Sequence, residues 1–96
     1  KPESKVELQA IVDFMNTNTT VCFEIGGHTD NVGNKQHNIA LSNNRAKAVY
    51  DFIVEQGIAS SRLTYKGYAD NKPMVDNSTA ENRAKNRRTE MVITKL

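Results

Sequence analysis

The sequence predicts an α+β domain in which helices lie on one face of a small mixed sheet. Three observations carry that prediction. Two apolar stripes, Leu8-Ile11-Val12-Met15 and Ala46-Val49-Tyr50-Ile53, recur with helical spacing. Two short runs, Val21-Phe23-Ile25 and Leu63-Tyr65, alternate with polar residues as half-buried strands do. The order along the chain is helix, strand, helix, strand, short helix, strand, and helix-bearing crossovers allow parallel neighbours with a mixed final pairing. With 96 residues and 10.7 kDa the chain is expected to form one domain, 1–96. A domain of this size buries only about 60–65% of its unfolded surface, so every amphipathic element must contribute to one core.

The elements follow in order. Ser4 and Glu7 have the spacing of a capping box that opens the first helix. The polar run Asn16-Thr17-Asn18-Thr19-Thr20 stops it, because these side chains compete for backbone hydrogen bonds. The first strand is expected to end at Gly26-Gly27, where the backbone is free to turn, and 28–33 to form a polar loop. Asn34 is the expected N-cap of a long second helix. Gly57 suits the left-handed position just past its end, with Ile58 folding back on Ile53. A second strand over 63–68, a loop over 69–79 containing Pro73, a second capping box at Ser78 and Glu81, a short helix to about Lys85 and a strand over 89–94 complete the chain. Three strands make a thin sheet, which predicts a further strand before Lys1 and an origin as part of a longer protein.

Composition excludes several functions. Thirteen Lys+Arg against eleven Asp+Glu give a net charge of +2, too balanced for nonspecific nucleic-acid binding. The excess sits at the C-terminal end, where Arg83, Lys85, Arg87, Arg88 and Lys95 face Glu81 and Glu90, and no aromatic residues are interleaved there to stack bases. The single cysteine, Cys22, forms no intrachain disulfide and completes no thiolate zinc site. No run approaches the roughly 20 apolar residues of a membrane-spanning helix. His28 and His37, with Asp30, match no zinc spacing, so neither a metal nor a cofactor is expected; a loop-orienting hydrogen bond suits His28 better. Ser42 with either histidine lacks an orienting carboxylate and an oxyanion turn, which argues against an enzyme.

The dense polar constellation is the block from Gly27 to Ala46. Asn38, Ser42 and Arg45 share one helix face, with Asn38 and Arg45 roughly 10 Å apart along the axis. Asp30 lies in the loop just before that helix. The pair Asp30 and Arg45 has two readings from spacing alone: a salt bridge that pins loop to helix, or a receptor in which Asp30 takes an ammonium and Arg45 grips a carboxylate with its planar fork.

The run Gly27-His28-Thr29-Asp30, then Gly33, then Asn38-x-x-Leu41-Ser42-x-x-Arg45-Ala46, resembles the signature of the OmpA-like C-terminal peptidoglycan-binding domain (the OmpA/MotB/Pal type). Gly57-Ile58, Gly67-Tyr68, Pro73, Asn77 and Asn86-Arg87-Arg88 continue the likeness over nearly the whole chain. The resemblance implies a two-layer α/β sandwich and noncovalent binding of the peptidoglycan stem peptide, with the free amino-acid centre of diaminopimelate held by Asp30 and Arg45. By the same resemblance Asn38 is a further polar contact, and Thr29, Leu41 and Ala46 line or support the cleft. One of Arg87 and Arg88 would face the ligand and the other would bond loop carbonyls; Arg88 is placed at the ligand. The parent protein would be anchored in a membrane, with this domain on the periplasmic face of the outer membrane. The family's first strand has no counterpart after Lys1, which leaves an edge that a neighbouring chain, as in a homodimer, would fill. Two readings of other kinds are a metal-dependent wall-peptide hydrolase built on His28, Asp30 and His37, and a protein-interaction module using the basic tail.

Overall fold

A computed structural model describes the backbone of residues 2–96 and the side chains of residues 8–96. The order is α1 (Pro2–Thr17), β1 (Cys22–His28), α2 (Lys35–Glu55), a single 3₁₀ turn (Ser60–Arg62), β2 (Leu63–Ala69), α3 (Ala80–Asn86) and β3 (Arg88–Lys95). The sheet order is β2-β1-β3, with β1 parallel to β2 and antiparallel to β3. The mixed pairing expected from the order of elements is therefore present. Among the described residues the outer edge of β3 has no strand partner, and Val92, Ile93 and Leu96 are exposed along it.

One apolar core forms between the helices and one face of the sheet. Val12 and Met15 of α1, Phe23 and Ile25 of β1, Ala46 and Ile53 of α2, and Leu63 of β2 are all buried in it. The helical stripes and the alternation of β1 thus meet in this core, whereas Tyr65, expected beside Leu63 on the buried face of β2, is 39% exposed and packs against Tyr50, ring centroids 5.0 Å apart. Ile58 is buried just past Gly57, whose φ of 97° is the left-handed conformation that glycine adopts without a Cβ clash. Asn34 caps α2 as expected: its Oδ1 accepts from the amides of Gln36 at 2.8 Å and His37 at 3.2 Å.

Four local expectations are corrected. β1 does not end at Gly26-Gly27 but continues to His28. The glycines are there for closeness: a Cβ on Gly27 would lie 2.0 Å from the carbonyl oxygen of Ser42, so α2 packs directly on bare backbone. His28 is consequently a buried strand residue rather than part of a loop. α3 is capped by Thr79, whose Oγ1 accepts from the Asn82 amide at 3.1 Å, while Ser78 bonds to Asp76. Finally, α1 starts at Pro2, ahead of Ser4, and the side chains of the Ser4–Glu7 capping box lie outside the described residues.

Candidate functional site

The site is built where β1 runs out and α2 begins. The Thr29 amide donates to the carbonyl of Ala69 at 2.8 Å, which ties the end of β1 to the end of β2. Ser42, fully buried, donates to the Ile39 carbonyl and accepts from the Ala69 amide at 3.1 Å. Asn43 Oδ1 accepts from the Gly67 amide at 2.8 Å. Helix α2 is thereby fixed in height over both strands, and with it the side chains on its site-facing side.

The loop between β1 and α2 is held from within. Asn38 is buried and its Nδ2 donates to the carbonyl of Val32 at 3.0 Å, with a longer contact of 3.5 Å to that of Asp30. The Thr29 hydroxyl donates to the Asp30 carbonyl at 2.9 Å. These bonds tie the carbonyls of Asp30 and Val32 to side chains beneath the loop and hold its backbone in place.

The charged groups converge on this loop. Asp30 has a side chain only 11% exposed; its Oδ1 accepts from the Val32 amide at 3.0 Å and its Oδ2 from Arg87 Nη1 at 2.5 Å. Burial pushes the Asp30 carboxyl up, but the Val32 amide and the Arg87 guanidinium outweigh it and hold the group below its usual range. Asp30 is therefore an anion at neutral pH. Arg45 donates from Nη1 to the carbonyl of His28 at 3.1 Å. Among the described residues no carboxylate lies within 4.0 Å of Arg45. The intramolecular Asp30–Arg45 salt bridge is thus not formed; Arg45 is anchored at the His28 carbonyl, two residues before Asp30 in the chain.

The structure sorts the expected site residues. Asp30 lies in the loop after β1, and Arg45 reaches the backbone at His28, the last residue of β1. Thr29 and Asn38, 3% and 6% exposed, act on the loop backbone from beneath, and Leu41 is half-buried. Ala46, expected to line or support the cleft, is 0% exposed and lies in the core, so it offers no ligand surface and only the supporting role is open to it. Arg88 is corrected as well. Its guanidinium bonds Glu90 at 2.7 Å, the carbonyl of Lys72 at 2.9 Å and that of Asn86 at 3.2 Å, whereas Arg87 reaches Asp30. The physical reason is strand parity. Met91 packs on the core side, and stepping back by twos through Thr89 reaches Arg87 on that side, while Arg88 falls on the opposite face beside its partner in register, His28. That count was available in the sequence, but the apolar pair Val92-Ile93 left the parity ambiguous.

His28 sits on the sheet face away from the helices. Its ring stacks on Tyr68 at 5.3 Å, Nε2 lies 3.7 Å from Glu90, and Nδ1 is buried with no hydrogen-bond partner. His37 is exposed in the first turn of α2. Among the described residues no group of three or more His, Cys, Asp or Glu is arranged to hold a metal. Asn86, missed as a structural node, is fully buried and closes the loop before α3: its Oδ1 accepts from the amides of Met74 and Val75, and its Nδ2 donates to Val75 and Asn77. It thereby fixes the base from which Arg87 projects.

The chain is 40% identical over 90 residues to outer membrane porin F of Pseudomonas fluorescens, a match covering 94% of this chain and 28% of the relative. It is 45% identical over 69 residues to peptidoglycan-binding protein ArfA of Mycobacterium bovis, covering 72% of this chain and 21% of that protein. The chain thus spans well under a third of the length of these relatives. The structure superposes on the peptidoglycan-associated lipoprotein of Burkholderia pseudomallei with a TM-score of 0.91 at 24% identity, covering 97% of this chain and 79% of that one, which shows the fold. The family model described as OmpA family matches residues 1–87, and the chain belongs to the OmpA family.

Proposed function

We propose that this domain binds the stem peptide of peptidoglycan noncovalently and without turnover, holding the free amino-acid centre of a diaminopimelate residue. In this reading Asp30 receives the ammonium and Arg45 the carboxylate. The domain would be one part of a larger envelope protein, tethering it to the wall from the periplasmic face of the outer membrane. One observation carries the reading: Arg45 is anchored two residues before Asp30, at the His28 carbonyl, is not bonded to Asp30, and has used a single N–H on that carbonyl. A guanidinium with its fork still open is the group best suited to a carboxylate. The 45% identity to peptidoglycan-binding protein ArfA supports the wall as the ligand.

A few charge-assisted bonds in an open cleft, each about 1.5–3 kcal/mol net, support an affinity on the order of micromolar to millimolar. Retention on a wall then comes from many copies acting on one polymer, where each bound domain raises the effective concentration for the next. Asp30→Asn and Arg45→Gln keep the side-chain shapes while removing the charges. Each is expected to weaken pull-down by purified sacculi by about tenfold to a hundredfold with an unchanged circular dichroism spectrum. Undiminished sacculus binding by both variants would remove the proposed roles.

A further inference from the structure

His28 joins the two faces of the sheet. Its carbonyl accepts from Arg45 Nη1 at 3.1 Å, the one hydrogen bond of that guanidinium among the described residues. Its ring lies on the opposite face, with the side chain only 3% exposed. Bare backbone makes room for it: a Cβ on Gly26 would lie 3.1 Å from His28 Nε2 and 3.2 Å from Tyr68 Cε2.

The slot around the ring suits a neutral imidazole. Tyr68 of β2 stacks on it at 5.3 Å. The Tyr68 hydroxyl is bonded to Glu24 of β1, and Lys66 and Lys72 lie over the Tyr68 ring, 5.2 and 4.3 Å from its centroid. From β3 come Arg88, in register with His28, and Glu90. The Glu90 Oε2 is 3.7 Å from Nε2, but its Oε1 already accepts from Arg88 Nε at 2.7 Å. Nδ1 has no hydrogen-bond partner among the described residues. A proton on this ring creates a buried cation with Arg88 and Lys72 in its field and a carboxylate that is already shared. Relief comes from moving the ring toward water or drawing Glu90 off Arg88. Either route acts on the end of β1 where it is least regular: its register against β2 shifts between Gly27 and His28, and Ala69 opposite holds a left-handed φ of 51°.

We propose that His28 is a positioning residue for Arg45, and that its protonation weakens ligand binding by shifting the carbonyl on which Arg45 rests. The inference rests on the peptide-binding reading above and adds how proton concentration regulates it. Two competing effects have the wrong sign. Between pH 7.5 and pH 5 the ligand's carboxylates, with ordinary values of about 3.3–3.7, stay ionised, and acidification only completes the protonation of its amine. A new cation acting through space attracts a carboxylate. A loss of affinity therefore reports the moved anchor.

The test is calorimetric titration with a soluble stem peptide carrying the free diamino-acid centre over that pH range, with circular dichroism giving the folded fraction. Wild-type protein is expected to bind about threefold or more weakly at pH 5 than at pH 7.5. His28→Gln, which does not titrate, is expected to bind within about 1.5-fold at the two values. Lys72→Gln removes a positive charge that opposes protonation of the ring, so its affinity is expected to fall at higher pH than that of wild type. Wild-type affinity at pH 5 that equals or exceeds that at pH 7.5 overturns the inference and leaves the peptide-binding reading standing. A fall of the same size in His28→Gln overturns the role of His28. Wild-type protein that binds at neither pH overturns both readings. The Lys72→Gln profile keeps the inference testable even if His28→Gln fails to fold: a fall at the same pH as in wild type contradicts it.

Discussion

The close seat of α2 on the sheet is the feature that sets the position of Arg45, and Gly27→Ala attacks it directly. The added Cβ would lie 2.0 Å from the Ser42 carbonyl oxygen, 2.9 Å from its carbon and 3.3 Å from the Ala46 amide nitrogen. All three are backbone atoms of α2, so no side-chain rotation relieves the clash. Ordinary contact begins near 3.4 Å, and the helix must lift by more than an ångström to reach it. Overpacking of this kind costs about 1–3 kcal/mol and sometimes more. In a domain of this length each kcal/mol lowers the melting temperature by about 4–8 °C, so a drop between about 4 and 24 °C is expected in thermal denaturation followed by circular dichroism. The same lift moves Arg45 away from the His28 carbonyl, 3.1 Å distant in the wild type, so sacculus binding should fall even at temperatures where the variant is folded. A variant that melts within about 1 °C of wild type and binds sacculi equally well would refute the view that bare backbone at position 27 sets the helix height, since even the lower overpacking cost implies a larger shift.

Two further outcomes follow from the same structure. Arg62 donates to the carbonyls of Val21 at 3.0 Å, Met15 at 3.1 Å and Asn18 at 2.7 Å, gathering the end of α1 and the start of β1, so Arg62→Ala is expected to cost about 2 kcal/mol in urea unfolding with peptide binding retained. The His28 imidazole is held below its usual range by burial and by Arg88, with Glu90 opposing and Lys72 assisting, while Tyr68 covers its ring. Its folded-state value is depressed, so its contribution to stability is complete above the unfolded value of 6.5 and declines as pH falls through the folded value. Unfolding free energies measured between pH 7.5 and pH 5 should show that decline in wild type and a smaller one in His28→Gln; equal slopes would contradict it.

Much of the fold was legible because local signals agreed with the global one. Leu8 to Met15 and Ala46 to Ile53 have helical spacing, Asn34 supplies a cap, and Gly57 supplies the left-handed residue that ends α2. Gly26-Gly27 misled because glycine serves two purposes, turning the chain and admitting a neighbour, and nothing in one strand says what will press on it. That Arg45 turns toward the sheet side of α2, onto the His28 carbonyl, could be read from the helical face it shares with Asn38 and Ser42. The partner of Asp30 could not. Arg87 is 57 residues away and reaches the loop only through the antiparallel pairing of β3 with β1 and the anchoring of the preceding loop by Asn86. Long-range pairings of this kind depend on tertiary register, which a strand's own alternation constrains only when one face is clearly apolar; β3, with Val92 and Ile93 both exposed, has no such face.

The central claim is that Asp30 takes an ammonium, and calorimetric titration of the wild-type domain with a soluble stem peptide tests it most directly when the peptide is presented once with its diamino-acid amine free and once acetylated. Acetylation removes the positive charge and leaves the carboxylates in place. The account predicts measurable binding of the free amine and a loss of about tenfold or more on acetylation. Equal affinity for the two peptides would contradict it.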